Sequence, residues 1–190
     1  MSKASTAKSG NQNTKELAAR LMAVQACYQM LHNGESSFRS ITQEYLSHRA
    51  GMNVGGHDMQ KPDGVLFEKI MSALEDRVIE LDELLYTHTK KKEEPSEIEE
   101  KQGDVEAVDG FQQIEGNFFP VKKTAEIEPL LRSVLFCGIC ELLVHTDIDH
   151  PIIINDYLHI THAFYEQQQV SFVNGVLDSI ASLLRSGEPV

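Results

Sequence analysis

Cys137 and Cys140, in the run CGIC, have the spacing of a redox or metal dithiol. Such a thiol reacts as the thiolate, so it needs a helix N-terminus or a neighbouring cation to lower its pKa. Here the pair falls mid-way along a helical pattern, among Val134, Leu135, Ile139 and Leu142. The remaining cysteine, Cys27, cannot supply the second pair that a four-thiolate zinc site requires. The three therefore read as buried structural cysteines, as a reducing compartment permits. The other metal-competent group is HTDIDH, residues 145–150, followed by His159 and His162. Those two histidines can share a helix face, but Asp156, His159, His162 and Glu166 lie opposite Leu158 and Tyr165, the pattern of a solvated face. No metal ligand is assigned.

The chain shows no Ser-His-Asp neighbourhood, glycine-rich phosphate loop or nucleotide fingerprint, so no catalytic residue and no cofactor is assigned. What remains is a set of binding chemistries on two helical stretches. Arg20, Gln25 and Tyr28 extend a basic N-terminal region, and Phe172 and Asn174 stand near the start of the last helical run. Cation, amide and aromatic groups are what a single RNA strand needs: charge for phosphate, hydrogen bonds for base edges and a ring for stacking. Periodicity by itself divides Tyr28 and Phe172 between that role and the core. Gly175 costs about 1 kcal/mol relative to Ala in a helix interior, so SFVNGVLDSI raises three readings of it: a close backbone approach, a helix start or a binding surface.

Helical periodicity runs throughout. Asn13 with Glu16 makes a capping-box-like start, and Leu17, Leu21, Val24, Tyr28 and Leu31 form a stripe that ends at Asn33-Gly34. A second helix is expected from about Ser36 to Ala50 with Phe38, Ile41 and Tyr45 inward, then a loop over 51–63. Asp63 is the expected N-cap of a run through Phe67, Ile70, Leu74, Val78, Leu81 and Leu85. LLRSVLFCGICELLV, with Pro129 in its first turn, is apolar on nearly every face and is the expected central helix. Residues 152–168 and 171–185 give two more. With no strand alternation or repeat, the fold class is all-α, a single helical bundle of about six or seven helices. Residues 1–12 read as a disordered basic arm, 13–190 as the domain, and 90–117 as a flexible acidic insertion.

A chain of 190 residues with 41% hydrophobic content is long enough for one sizeable core. The longest apolar stretch is far short of the roughly 20 residues of a membrane span, and the N-terminus lacks the apolar centre of a secretory signal. A cytoplasmic protein with no membrane partner is expected. The formal charge of −12 opposes a polyanionic partner at first sight, but the charge is unevenly placed. Residues 1–34 carry Lys3, Lys8, Lys15 and Arg20 against Glu16 alone, whereas residues 90–117 carry four lysines against nine acids. A basic patch can hold phosphate while an acidic segment elsewhere sets the total.

Three motifs resemble the NusB family of transcription antitermination factors: ARLMAVQACYQ over 19–29, INDYLHITHAFYE in the penultimate helical run and SFVNGVLDSIA in the last. The last is quite specific, the first moderately so, and the match extends over residues 15–31, 63–85 and 128–185. The resemblance implies an all-helical NusB-like fold without catalytic activity. It implies binding of boxA-like single-stranded RNA jointly with NusE, a small-subunit ribosomal protein, in an RNA polymerase antitermination complex that reads through terminators in ribosomal RNA operons. By the same match Lys8, Lys15 and Arg20 would meet phosphates, Gln25 and Asn174 would serve the RNA, and Phe172 would stack on a base. Tyr28 would lie at the RNA and partner surface, with Glu128 and Leu131 towards the partner. The chain departs from the family at several places. Leu131-Arg132 stands where Glu-Arg is usual, Phe136 stands where an Arg is usual, and lysines replace the arginines of the N-terminal arm, supplying charge without a planar fork. The alternative is an adaptor that keeps the fold and binds only protein. Dimerisation that masks the RNA surface is a further possibility.

Overall fold

The computed structural model describes residues 6–32, 37–49, 61–89 and 124–186, with side chains from Lys15 onward in the first segment and to His48 in the second. The acidic stretch 90–117 and most of the loop 51–63 lie outside the described residues. Six α-helices follow in order: α1 (Thr6–His32), α2 (Phe38–Glu44), α3 (Gly64–Thr89), α4 (Pro129–Val144), α5 (His150–His162) and α6 (Gln167–Ser186), with a π-helical turn (Tyr45–Arg49) continuing α2. No strand occurs among the described residues. The fold is all-α, as the periodicity requires.

α4 is the central element and packs against α1, α3, α5 and α6. Its first turn is closed by Glu128, whose carboxylate accepts from the amides of Leu130 and Leu131 (3.1 and 2.9 Å), and Pro129 costs nothing there because that amide has no helical partner. From Arg132 to Leu142 every residue is buried. Gly138 makes the tightest approach, since a methyl group at its Cα would lie 3.0 and 3.1 Å from the Leu177 methyls on α6 and 3.4 Å from the Tyr157 ring on α5. Gly175 is the opposite case. It is exposed, a Cβ there would meet nothing within 4 Å, and α6 already begins at Gln167. The expected close approach or helix start at Gly175 is therefore corrected: the close-packed glycine is Gly138.

α3 starts as expected, with Asp63 Oδ1 accepting from the amides of Val65 and Leu66 (2.9 and 3.0 Å). Its six expected core residues are buried along one unbroken helix. The Asp63 amide also donates to the Lys15 carbonyl (3.1 Å), tying α3 to α1. α1 begins earlier than Asn13, at Thr6, because each residue added to a formed helix gains a hydrogen bond without repeating the cost of nucleation. The second helix changes character at Tyr45. Phe38, Ile41 and Tyr45 are buried as expected, and the wider turn leaves Tyr45 stacked on Phe67 (6.0 Å between centroids) with its hydroxyl donating to Gln29 Oε1 (3.2 Å).

The chain enters α4 through a polar latch. The Thr124 amide and hydroxyl both donate to buried Asp82 Oδ1 on α3 (3.0 and 2.5 Å), and buried Arg132 donates to the Thr124 carbonyl (3.0 Å).

Candidate functional site

The buried face of α1 differs from the one its periodicity predicts. Its fully buried positions are Ala19, Arg20, Ala23, Val24, Ala26 and Cys27, joined by Met30. Leu17, Leu21, Tyr28 and Leu31, expected as the core stripe with Val24, form a partly buried flank. The alanines let α1 approach α4 closely, and that approach takes Arg20 inside. Arg20 Nε donates to both oxygens of Glu141 (3.1 and 2.9 Å), Nη2 to Glu141 Oε1 (2.5 Å) and Nη1 to Asp156 Oδ2 (2.8 Å). Glu141 also accepts from the Tyr157 hydroxyl (2.9 Å) and from His145 Nδ1 (3.2 Å). Burial would raise the Glu141 pKa, yet the bonds from His145, Arg20 and Tyr157 hold the carboxyl below its ordinary range. On Asp156 burial wins, and its pKa is raised despite Arg20.

Arg20 is 1% exposed and its guanidinium is engaged by two carboxylates. The expected phosphate contact is corrected on that ground: a buried cation takes internal carboxylates because leaving either charge unpaired would cost several kcal/mol. Arg20 is a positioning residue joining α1, α4 and α5. Asp156 is corrected with it, since it turns inward rather than joining the solvated face that His159 and His162 form.

A second cluster lies where α4 begins. Glu128, exposed, accepts the Tyr165 hydroxyl as well as the two cap amides. Burial would raise the Glu128 pKa, but these bonds lower it below the ordinary carboxylate range, and burial together with Glu128 pushes Tyr165 up. Tyr28 is close enough to Tyr165 to be felt electrostatically and stacks on exposed His32 (5.5 Å between centroids, 16° between planes). Leu131 is half-buried beside the cap. Tyr28, Glu128 and Leu131 are thus placed around one end of the α1–α4 pair.

α6 buries Val170, Val173, Val176, Leu177, Ile180 and Ala181. Phe172 is turned outward, 38% exposed, and half-buried Asn174 donates to Asp178 Oδ2 (3.0 Å). α5 packs against both α6 and α1, and Lys15 and Gln25 on α1 are exposed. Lys8 lies on α1, its side chain outside the described residues. All three thiols are buried, and burial pushes Cys140 up to about 12 and Cys137 higher than an ordinary thiol. A thiol so shifted stays protonated and inert.

A family model described as the NusB family matches residues 113–182. Transcription antitermination protein NusB of Allorhizobium ampelinum is 28% identical over 168 residues, covering 88% of this chain and 86% of its own length. The NusB protein of Nitrobacter hamburgensis is 29% identical over 171 residues, 90% of this chain and 88% of its own. The solved structure of Thermotoga maritima NusB superposes with a TM-score of 0.60 at 18% identity, over 88% of this chain and 90% of that one, and so shares the fold. The chain is thus similar to NusB proteins over most of its length and shares their fold. No helix among its described residues is long and apolar enough to cross a membrane.

The three motifs that carry the resemblance to NusB sit on α1, α5 and α6. Sequence reasoning missed Glu141, Tyr157 and Tyr165. A signal for the first was present: a glutamate inside the otherwise apolar CGICELL has to find a buried cation, and Arg20 lies among residues as small as Ala19 and Ala23. Nothing local marks Tyr165, whose partner Glu128 is 37 positions away.

Proposed function

We propose that this chain acts as a transcription antitermination factor that binds boxA-like single-stranded RNA together with NusE and performs no chemistry itself. The observation that carries the reading is Phe172: among the large apolar residues of the SFVNGVLDSI motif, Val173, Val176, Leu177 and Ile180 are buried and this ring alone stands in solvent. A ring there offers a base a stacking platform. Lys8 and Lys15 would supply phosphate charge, Gln25 and Asn174 amide hydrogen bonds, and Tyr28, Glu128 and Leu131 the side that meets NusE within the polymerase complex. Titration of labelled boxA RNA, with and without NusE, tests this. Phe172→Ala is expected to weaken RNA binding by about 1–3 kcal/mol and to leave thermal unfolding unchanged. Equal affinity for a scrambled RNA in the NusE complex would sink the specificity.

A protein-only adaptor is the second reading, and two observations favour it. Arg20 is withdrawn from the surface, and the Asn174 amide is already bonded to an acid, Asp178, on the face the RNA would use. Retained NusE binding without measurable RNA binding is the result that would select it.

A further inference from the structure

A groove of about 720 Å3 lies between α3 and the strip formed by α2 and the π turn, on elements that carry none of the RNA or NusE residues proposed above. Its size is that of a pocket for a small ligand or short peptide. Leu46 and buried Met71 supply apolar surface. Around them Glu68 and Glu75 stand on the α3 wall and Arg39 on the α2 wall, all three exposed. Two turns separate the glutamates, about 10.5 Å along the helix axis.

Toward the other described residues, the polar groups of this groove are uncommitted. Arg39, Glu68 and Glu75 form no side-chain hydrogen bond or ion pair with another described residue, nor do Gln43, Ser47 and Ser72. Arg77, two residues beyond Glu75 on α3, is by contrast paired with Glu80 (2.9 Å). The π turn contributes Leu46 and Ser47 to the wall, and turns of this kind recur at functional sites. The charges select the guest. Two carboxylates repel a phosphate backbone, and Arg39 repels a simple polycation. A peptide with a basic side chain next to an acidic one satisfies both walls. Its cation meets Glu68 or Glu75, its carboxylate meets the planar fork of Arg39, its backbone amides meet Gln43 and the two serines, and its aliphatic stem lies on Leu46 and Met71.

We propose that this groove docks an extended segment of a partner protein that carries Lys or Arg beside Asp or Glu. The probe is an acetylated, amidated hexapeptide, Ala-Ala-Arg-Asp-Ala-Ala, whose neighbouring charges point to opposite sides when extended, titrated into the 15N-labelled full chain and followed by NMR. Saturable shifts confined to α2, the π turn and α3 are expected. Binding should weaken at least fivefold with the neutral peptide Ala-Ala-Gln-Asn-Ala-Ala, in the Glu68→Gln, Glu75→Gln double variant and in Arg39→Gln, and should be unchanged in Phe172→Ala. The three substituted groove residues are exposed, and thermal unfolding of the variants should match that of the parent chain. Absence of saturation, equal binding of the neutral peptide, or shifts centred on α6 would overturn the proposal. So would spermidine binding that is as tight as the peptide's and no weaker when Arg39 is present, which would make the groove a plain cation site.

Discussion

At single positions, the two helical glycines make opposite predictions. Gly138→Ala pushes a methyl group to 3.0 Å from Leu177 inside a close-packed seam and should destabilise the chain by about 1–3 kcal/mol. Gly175→Ala meets open space and should stabilise it by about 0.5–1 kcal/mol. Urea unfolding of both variants checks the pair; a loss of stability at Gly175 would mean that the α6 surface is covered in the folded protein. Sequence singled out Gly175 because it interrupts a visible apolar stripe, and overlooked Gly138 because everything around it is apolar. Which glycine is crowded depends on a neighbouring helix, and that information is not local. The cysteines were legible for the converse reason, since flanking Val134, Leu135, Ile139 and Leu142 already placed them in the core.

Among elements, the buried Arg20–Glu141 pair joins helices whose contributing residues are 121 positions apart, and Asp156 extends it over 136. Glu141→Gln, which leaves Arg20 short of charge in the interior, should cost about 3–5 kcal/mol. Replacing Arg20 and Glu141 together by Met and Leu should cost clearly less than the sum of the single changes, because no uncompensated charge remains. The pH dependence follows in sign. Glu141 has a lowered pKa in the folded chain, so its contribution is fully present above the ordinary carboxylate value of about 4 and is lost as pH falls through the lower folded value. Asp156, raised by burial, acts in the opposite direction over the range just above that value. The difference in urea midpoint between wild type and Glu141→Gln should therefore shrink from pH 7 towards about pH 3; a difference independent of pH would rule out the ionised carboxylate as its source. The courses of α3 and α4 were legible because large apolar residues mark them. The buried face of α1 was not, because its seam is made of alanines, whose small side chains signal close packing only once the partner helix is known.

For the molecule as a whole, charge is the variable. With −12 overall, RNA can be held only where local lysines outweigh the total, so affinity should fall steeply with added salt. Each phosphate contact contributes a slope of about 0.7 in log affinity against log salt for a single strand, and Lys8→Gln with Lys15→Gln should reduce the slope by roughly twice that. A slope unchanged by the double substitution would show that phosphate is met elsewhere. The helical class was readable from periodicity, and the likeness to NusB from three motifs. The surface was not, since exposure of Phe172 and withdrawal of Arg20 are decided by how six helices settle against one another. The Thr124 latch bears on how such a chain can change over time. Because Asp82 and Arg132 grip Thr124 just ahead of α4, the start of α4 is fixed by those contacts, and lengthening the connection from Thr89 adds only slowly to the entropy of closing it. A change in the length of that connection is thus expected to leave the helices on either side in place, and deleting 93–117 should leave the melting temperature within a few degrees of the parent's.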